Sequence, residues 1–277
     1  MSIRNLIVVV LSLGLVGSSL AFVLTDRRVK ELQTELRQHS ELLEHLESLE
    51  NQIKTLSKDL EKILDIRVEQ FYTLKPSFRK LFGVDWTLRL EIPLKLYWQY
   101  KKRERPPLHE YAKMAKDKDD RPYIRSIVQS INELALKEGF TEKQKVEFVI
   151  AFVQSLPYMA DISSAGLGEY PRYPIETLFE RMGDCEDTSI LAAALLWEMG
   201  YDVALIVLPM PQPDHMAVGV ALTGDYGSYF EEEGKKYFYI ETTPATFGIG
   251  KMPERFENVQ ACLYPLSREN FQPPEVM

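Results

Sequence analysis

Cysteine is nearly absent from this chain: its 277 residues include two, Cys185 and Cys262. That excludes a disulfide framework, so an apolar core must hold the fold. With 45% apolar residues the chain can build one good-sized globular domain with extensions. Histidine is also scarce, at four residues, and none sits with cysteine at the spacing of a zinc site. No metal and no cofactor is expected. Basic residues are outnumbered, and a formal net charge of −8 argues against nucleic acid as a main partner.

Charge is missing altogether from Leu6 to Leu24, a run long enough to span a bilayer, which takes about 20 residues. A signal peptide cut near Ser19-Leu-Ala21 is one reading. The run continues through Phe22, Val23 and Leu24, which favours an uncleaved anchor over residues 1–25 and a single-pass membrane protein. Arg27, Arg28 and Lys30 lean towards a cytoplasmic C-terminal part, whereas the short N-terminal tail looks like an export signal, so the side stays open.

Glycine and proline are missing from Arg28 to Arg67, a stretch read as one long polar helix. Val29, Leu32, Leu36, His39, Leu43 and Leu46 alternate steps of three and four. The seam restarts at Leu49, Ile53, Leu56, Leu60 and Ile63, with a stammer around Leu46. Residues 26–67 are therefore expected to form a coiled coil, most simply with another copy of the chain. One long helix packed on its own domain is the other reading. His39 is a polar seam residue or a pH-sensitive register device.

Residues 68–121 are expected to connect. Trp86, Leu88, Leu90 and Ile92 alternate with polar residues as in a half-buried strand, and Pro93 marks it as an edge strand or a change of direction. The stretches Lys101 to Pro107 and Lys113 to Arg121 read as solvated loops. From Tyr123 a helix runs to Gly139, and a Thr141–Gln144 capping box opens the next, which ends at Pro157.

The chemistry concentrates further on. Gly183 offers a flexible backbone, Asp184 is a good N-cap, and Asp187 lies where a capping-box acid belongs. Cys185 then takes the first position of an apolar helix that Gly200 ends. Free N–H groups and partial positive charge at a helix start favour a thiolate and can hold an oxyanion. Asp184, Glu186 and Asp187 oppose this with negative charge, so the thiol needs a histidine. Three strands follow: Tyr201–Leu208, a second with His215 at its start, and Tyr237–Ile240 leading into Glu241-Thr242-Thr243. Taken singly, each of these residues is as well explained as packing: a small buried cysteine, a core histidine, a strand-end carboxylate.

Gly183-Asp-Cys185, His215 and Glu241-Thr-Thr243 together resemble the transglutaminase-like superfamily within the papain-like cysteine enzymes, over roughly Pro122 to Pro265. The resemblance implies an α+β fold with the nucleophile helix packed on an antiparallel sheet, in a catalytic domain over residues 122–277. It implies Cys185 as nucleophile, His215 as base and Glu241 as orienting acid. Glutamate stands where the family usually has aspartate. Tyr170 and Tyr173, in the loop before the site, are candidates for substrate or oxyanion contact, with packing as the other reading. A protein or peptide substrate is expected, attacked at an amide or ester carbonyl through a thioester. The acyl group would pass to water or to an amine. A silent scaffold is the reading from another class.

Overall fold

The computed structural model describes residues 3–74, 83–160, 170–209, 215–243, 247–257 and 259–266, with side chains from residue 26 onward. Outside that range fall the proline loop at Pro211 and Pro213, the Gly166 and Gly168 part of the loop before the site, Pro244, and the tail beyond Leu266. The chain divides into two compact units, Met1–Ile63 and Leu64–Met277.

The first unit consists of helix α1 (Ile3–Leu64) as far as Ile63. The seam residues expected from the sequence are exposed along it: Leu36 by 72%, Leu43 by 66% and Leu56 by 68%. Its polar faces carry short-range ion pairs such as Asp26–Lys30 and Arg37–Glu41, each worth a few tenths of a kcal/mol. Among the described residues no helix is long and apolar enough to cross a membrane. The Leu6 to Leu24 run lies inside α1 but outside the residues whose side chains are described.

The second unit is α+β. Strands β1 (Arg67–Leu74) and β2 (Trp86–Pro93) pair antiparallel, with Tyr72 facing Leu88 and Leu74 facing Trp86. Helices α2 (Leu94–Lys101), α3 (Tyr111–Met114), α4 (Arg121–Glu138), α5 (Glu142–Gln154), α6 (Pro174–Glu180) and α7 (Cys185–Glu198) follow. The second sheet is antiparallel, in the order β5-β6-β4-β3-β7. Its strands are β3 (Val203–Leu208), β4 (His215–Val220), β5 (Tyr229–Glu232), β6 (Lys235–Ile240) and β7 (Cys262–Pro265).

Helix α7 is apolar on nearly every side and buried from Ile190 to Trp197, packing against β3, β4, α4 and α5. Alternation along the strands splits the sheet's side chains between two cores. Leu205, Val207, Val218 and Phe238 face the main core; Ile206, Leu208, Ala217 and Tyr239 face a smaller one closed by Phe256. The central strands are thus covered on both faces, which explains their near-continuous apolar sequences.

Residues 68–121 share the main core. Tyr72 meets Phe152 edge-on, Trp86 meets Phe148, and the Tyr72 hydroxyl donates to the Leu178 carbonyl. The two stretches expected to be solvated loops are corrected by the structure. Lys101 pairs with Glu180, Arg105 with Glu176, and Arg103 with Asp117 and Asp119. Within 113–121, Met114, Ala115 and Asp120 are buried. Local composition showed only the charges; Asp117 and Asp119 lie in the second stretch itself, and Glu176 and Glu180 on a distant helix.

Candidate active site

Helix α7 begins as its sequence requires. Asp184 is extended and caps the Asp187 N–H, and Asp187 returns a bond to the Asp184 N–H at 3.2 Å. Cys185 is the first helical residue and is buried. Asp187 has a second task. It accepts from the Arg172 backbone N–H at 2.7 Å and from Arg172 Nη1 at 2.5 Å, both residues being fully buried. Burial, then the charge of Asp184, push its carboxyl up to about 7, with Arg172 pulling the other way.

Gly183 is required for space. Its φ lies outside the left-handed region, but a Cβ there would sit 2.6 Å from Asp187 Cβ and 2.9 Å from Oδ2. The flexibility expected from sequence is replaced by close approach. Its backbone is engaged as well, bridging to Tyr158 and accepting from the Met159 N–H at 2.9 Å. Gly183→Ala should therefore cost about 1–3 kcal/mol through overpacking and slow thiol alkylation together with it; a urea midpoint and an iodoacetamide time course check both.

His215 opens β4 opposite Leu208, and Glu241 directly follows β6, whose antiparallel pairing with β4 brings it back to that end of the sheet. His215 Nε2 and Glu241 Oε2 are 2.9 Å apart. Glu241 is buried and fully employed. Oε2 also accepts from the Tyr239 hydroxyl at 2.9 Å, and Oε1 accepts from the Thr242 N–H, the Thr243 N–H and Thr243 Oγ1. Burial pushes this carboxyl up, but the bonds from His215, Tyr239 and Thr243 outweigh it and leave it below the usual range. An ionised Glu241 only accepts, so Nε2 carries the proton, and a neutral His215 keeps its lone pair on Nδ1. The glutamate side chain is long enough to reach the imidazole. The His215 ring stacks on Phe256, with centroids 4.6 Å apart and planes 12° from parallel.

The sulfur lies near the start of β4, close enough for the backbone N–H of Met216, one residue past His215, to favour its thiolate. The thiol donates to Glu186 Oε2 at 2.9 Å. Burial, then the Glu186 charge, push the thiol well above the usual cysteine range. The negative environment read from the sequence is therefore centred on Glu186. Glu186→Gln should raise the alkylation rate of Cys185 at pH 7 about tenfold, the equivalent of one pKa unit; an unchanged rate would mean that burial alone sets the thiol. Cys185 and Cys262 are both free thiols.

Tyr170 and Tyr173 sit in a cationic cluster. The Tyr170 hydroxyl is bonded to Arg105 and to Glu176, and its ring lies under Arg105 and Lys101. Tyr173 precedes α6 and packs on Tyr100 and under Arg103. These contacts place both rings in the packing of α6. Sequence reasoning missed Tyr239, Phe256 and Arg172. Tyr239 was findable, two residues before Glu241 on the same strand face; the other two carry no local signal.

A cleft of about 930 Å³ opens beside Glu241, lined in part by Phe247, Lys251, Met252, Glu254 and Arg255. Among the described residues no group of three or more His, Cys, Asp or Glu is arranged to hold a metal ion. No protein-family model matches the chain, and no curated protein does. Among solved structures the chain is similar to calcium-bound LapG of Legionella pneumophila, at 14% identity and a TM-score of 0.31, over 54% of this chain and 93% of that one. It is also similar to a candidate cysteine protease from Cytophaga hutchinsonii, at 17% identity and a TM-score of 0.29, over 53% of this chain and 54% of that one.

Proposed function

We propose that this chain is a cysteine peptidase or amidase, working by acyl transfer through a thioester on Cys185. The observation that carries the reading is the His215–Glu241 pair at 2.9 Å, set at the sheet end where β4 meets the buried thiol at a helix start. Cys185 is the nucleophile. His215 Nδ1 takes its proton as the sulfur attacks a carbonyl, and Glu241 holds the ring and stabilises the imidazolium that forms. Because the resting thiol is held protonated, proton removal accompanies attack instead of preceding it. The remaining N–H groups at the start of α7 would bind the oxyanion.

A single-pass anchor over residues 1–25 and a homo-oligomer joined through residues 26–67 belong to the same proposal. The exposed seam of α1 supports the second part, since apolar residues at these spacings seek a partner helix.

The test incubates the full chain in detergent with a peptide library, with and without an added primary amine. New amino termini without the amine, lost in Cys185→Ala, support hydrolysis. Ammonia released only with the amine makes the chain a protein-glutamine acyltransferase. Neither product, with slow iodoacetamide labelling of Cys185 that is equal in His215→Ala, removes the enzyme and leaves a binding scaffold.

A further inference from the structure

Thr242 takes no part in the chemistry above except through its backbone N–H, which donates to Glu241 Oε1. Its side chain is buried and turned towards the nucleophile helix. Thr242 Oγ1 lies 2.9 Å from Thr188 Oγ1 and 3.1 Å from Ser189 Oγ, in the first turns of α7. Thr188 Oγ1 lies 2.6 Å from the Asp184 carbonyl. All three residues are at most 2% exposed.

The proton directions follow from counting. A carbonyl only accepts, so the Thr188 hydroxyl proton goes to Asp184. Thr188 must then accept from Thr242, whose one hydroxyl proton is thereby used. Ser189 must in turn donate to Thr242. The result is a one-way chain: Ser189 to Thr242, Thr242 to Thr188, Thr188 to the carbonyl immediately before Cys185. Such chains strengthen cooperatively in a low-dielectric interior.

We propose that Thr242 is a positioning residue that fixes the spacing between Cys185 and the His215–Glu241 pair. One residue grips both halves of the site. Its backbone holds the carboxylate that orients the imidazole, and its hydroxyl holds the turn that presents the sulfur. The nucleophile and its base arrive on separate elements, so their separation depends on such a tie. This inference rests on the catalytic reading of Cys185, His215 and Glu241.

The test compares Thr242→Val, which keeps shape and removes the hydroxyl, with Thr242→Ser, which restores it. Alkylation of Cys185 by iodoacetamide is followed against pH in the full chain, with His215→Ala as control. The valine variant is expected to lose about tenfold in rate, the upper range for one buried hydrogen bond, with its rate profile displaced to higher pH; the serine variant should return both to wild type. A purely structural role would lower the melting temperature of the valine variant and leave its pH profile in place, which overturns the proposal. Should the valine variant fail to fold, Ser189→Ala breaks the same chain at its donor end. A drop of about threefold then supports the tie, and an unchanged profile overturns it. If His215→Ala itself leaves the wild-type rate unchanged, the catalytic reading has failed and the positioning role goes with it. If that control slows the reaction and the Thr242 and Ser189 variants do not, only the positioning role is lost.

Discussion

Alkylation of Cys185 at pH 7 should fall by at least about a hundredfold when His215 is replaced by alanine, the lower bound for loss of a positioned general base. The argument starts from the thiol. It is buried and bonded to the Glu186 carboxylate at 2.9 Å, and both conditions disfavour the thiolate. The helix start and the Met216 N–H work the other way. The sulfur therefore reacts at a useful rate only if a neighbour accepts its proton during attack. Glu241 leaves His215 that task by fixing the proton on Nε2. Glu241→Gln should produce a smaller loss, because the amide can still orient the ring but cannot stabilise its charged form. Equal rates for wild type and His215→Ala across pH 6 to 9 would separate the imidazole from the sulfur and end the triad.

The second large effect is on stability. Arg172→Met should destabilise the Leu64–Met277 unit by about 3–5 kcal/mol, the cost of leaving one partner of a buried ion pair without the other. Arg172 is fully buried between Asp187 and Glu180. Its loss strands Asp187, the carboxylate of the capping box that opens α7. The effect should depend on pH. Asp187 in the folded chain is already pushed above the usual carboxylate range, to about 7. A raised acid favours the folded state at low pH, where it holds its proton, and that contribution is lost as pH climbs from the unfolded value through the folded one. Without Arg172 the folded value moves higher still. The variant should therefore be penalised more at pH 8 than at pH 5.5, by urea unfolding at both. An equal penalty would assign the cost to lost packing of the arginine stem.

What was legible in the sequence was local. The Asp184–Asp187 spacing carried the helix start, Thr141 with Gln144 the start of α5, and Gly139, left-handed at φ 69°, the end of α4. These features join residues three or four apart, within reach of pattern. His215 and Glu241 were placed by the succession of strands, and the sheet pairing brings them to one end. Strands β1, β5 and β7 and helices α2, α3 and α6 went unread: they are short or half-exposed, and their identity comes from their partners. Arg172 is similar. In sequence it is one charge in a loop, and only the folded chain sets Asp187 and Glu180 on either side of it. Gly183 was singled out for the wrong physical reason, because close approach to a residue four positions ahead cannot be told from backbone freedom without coordinates.

The hydrogen bond from sulfur to Glu186 has a consequence for endurance. Peroxides attack thiolates, and oxidation to sulfenic acid and beyond follows thiolate character and exposure. A sulfur stored in its protonated form and largely shielded from solvent is a poor target. If Cys185 is the proposed nucleophile, this protein should outlast oxidants that disable enzymes with a standing thiolate, keeping its reactive atom in reserve.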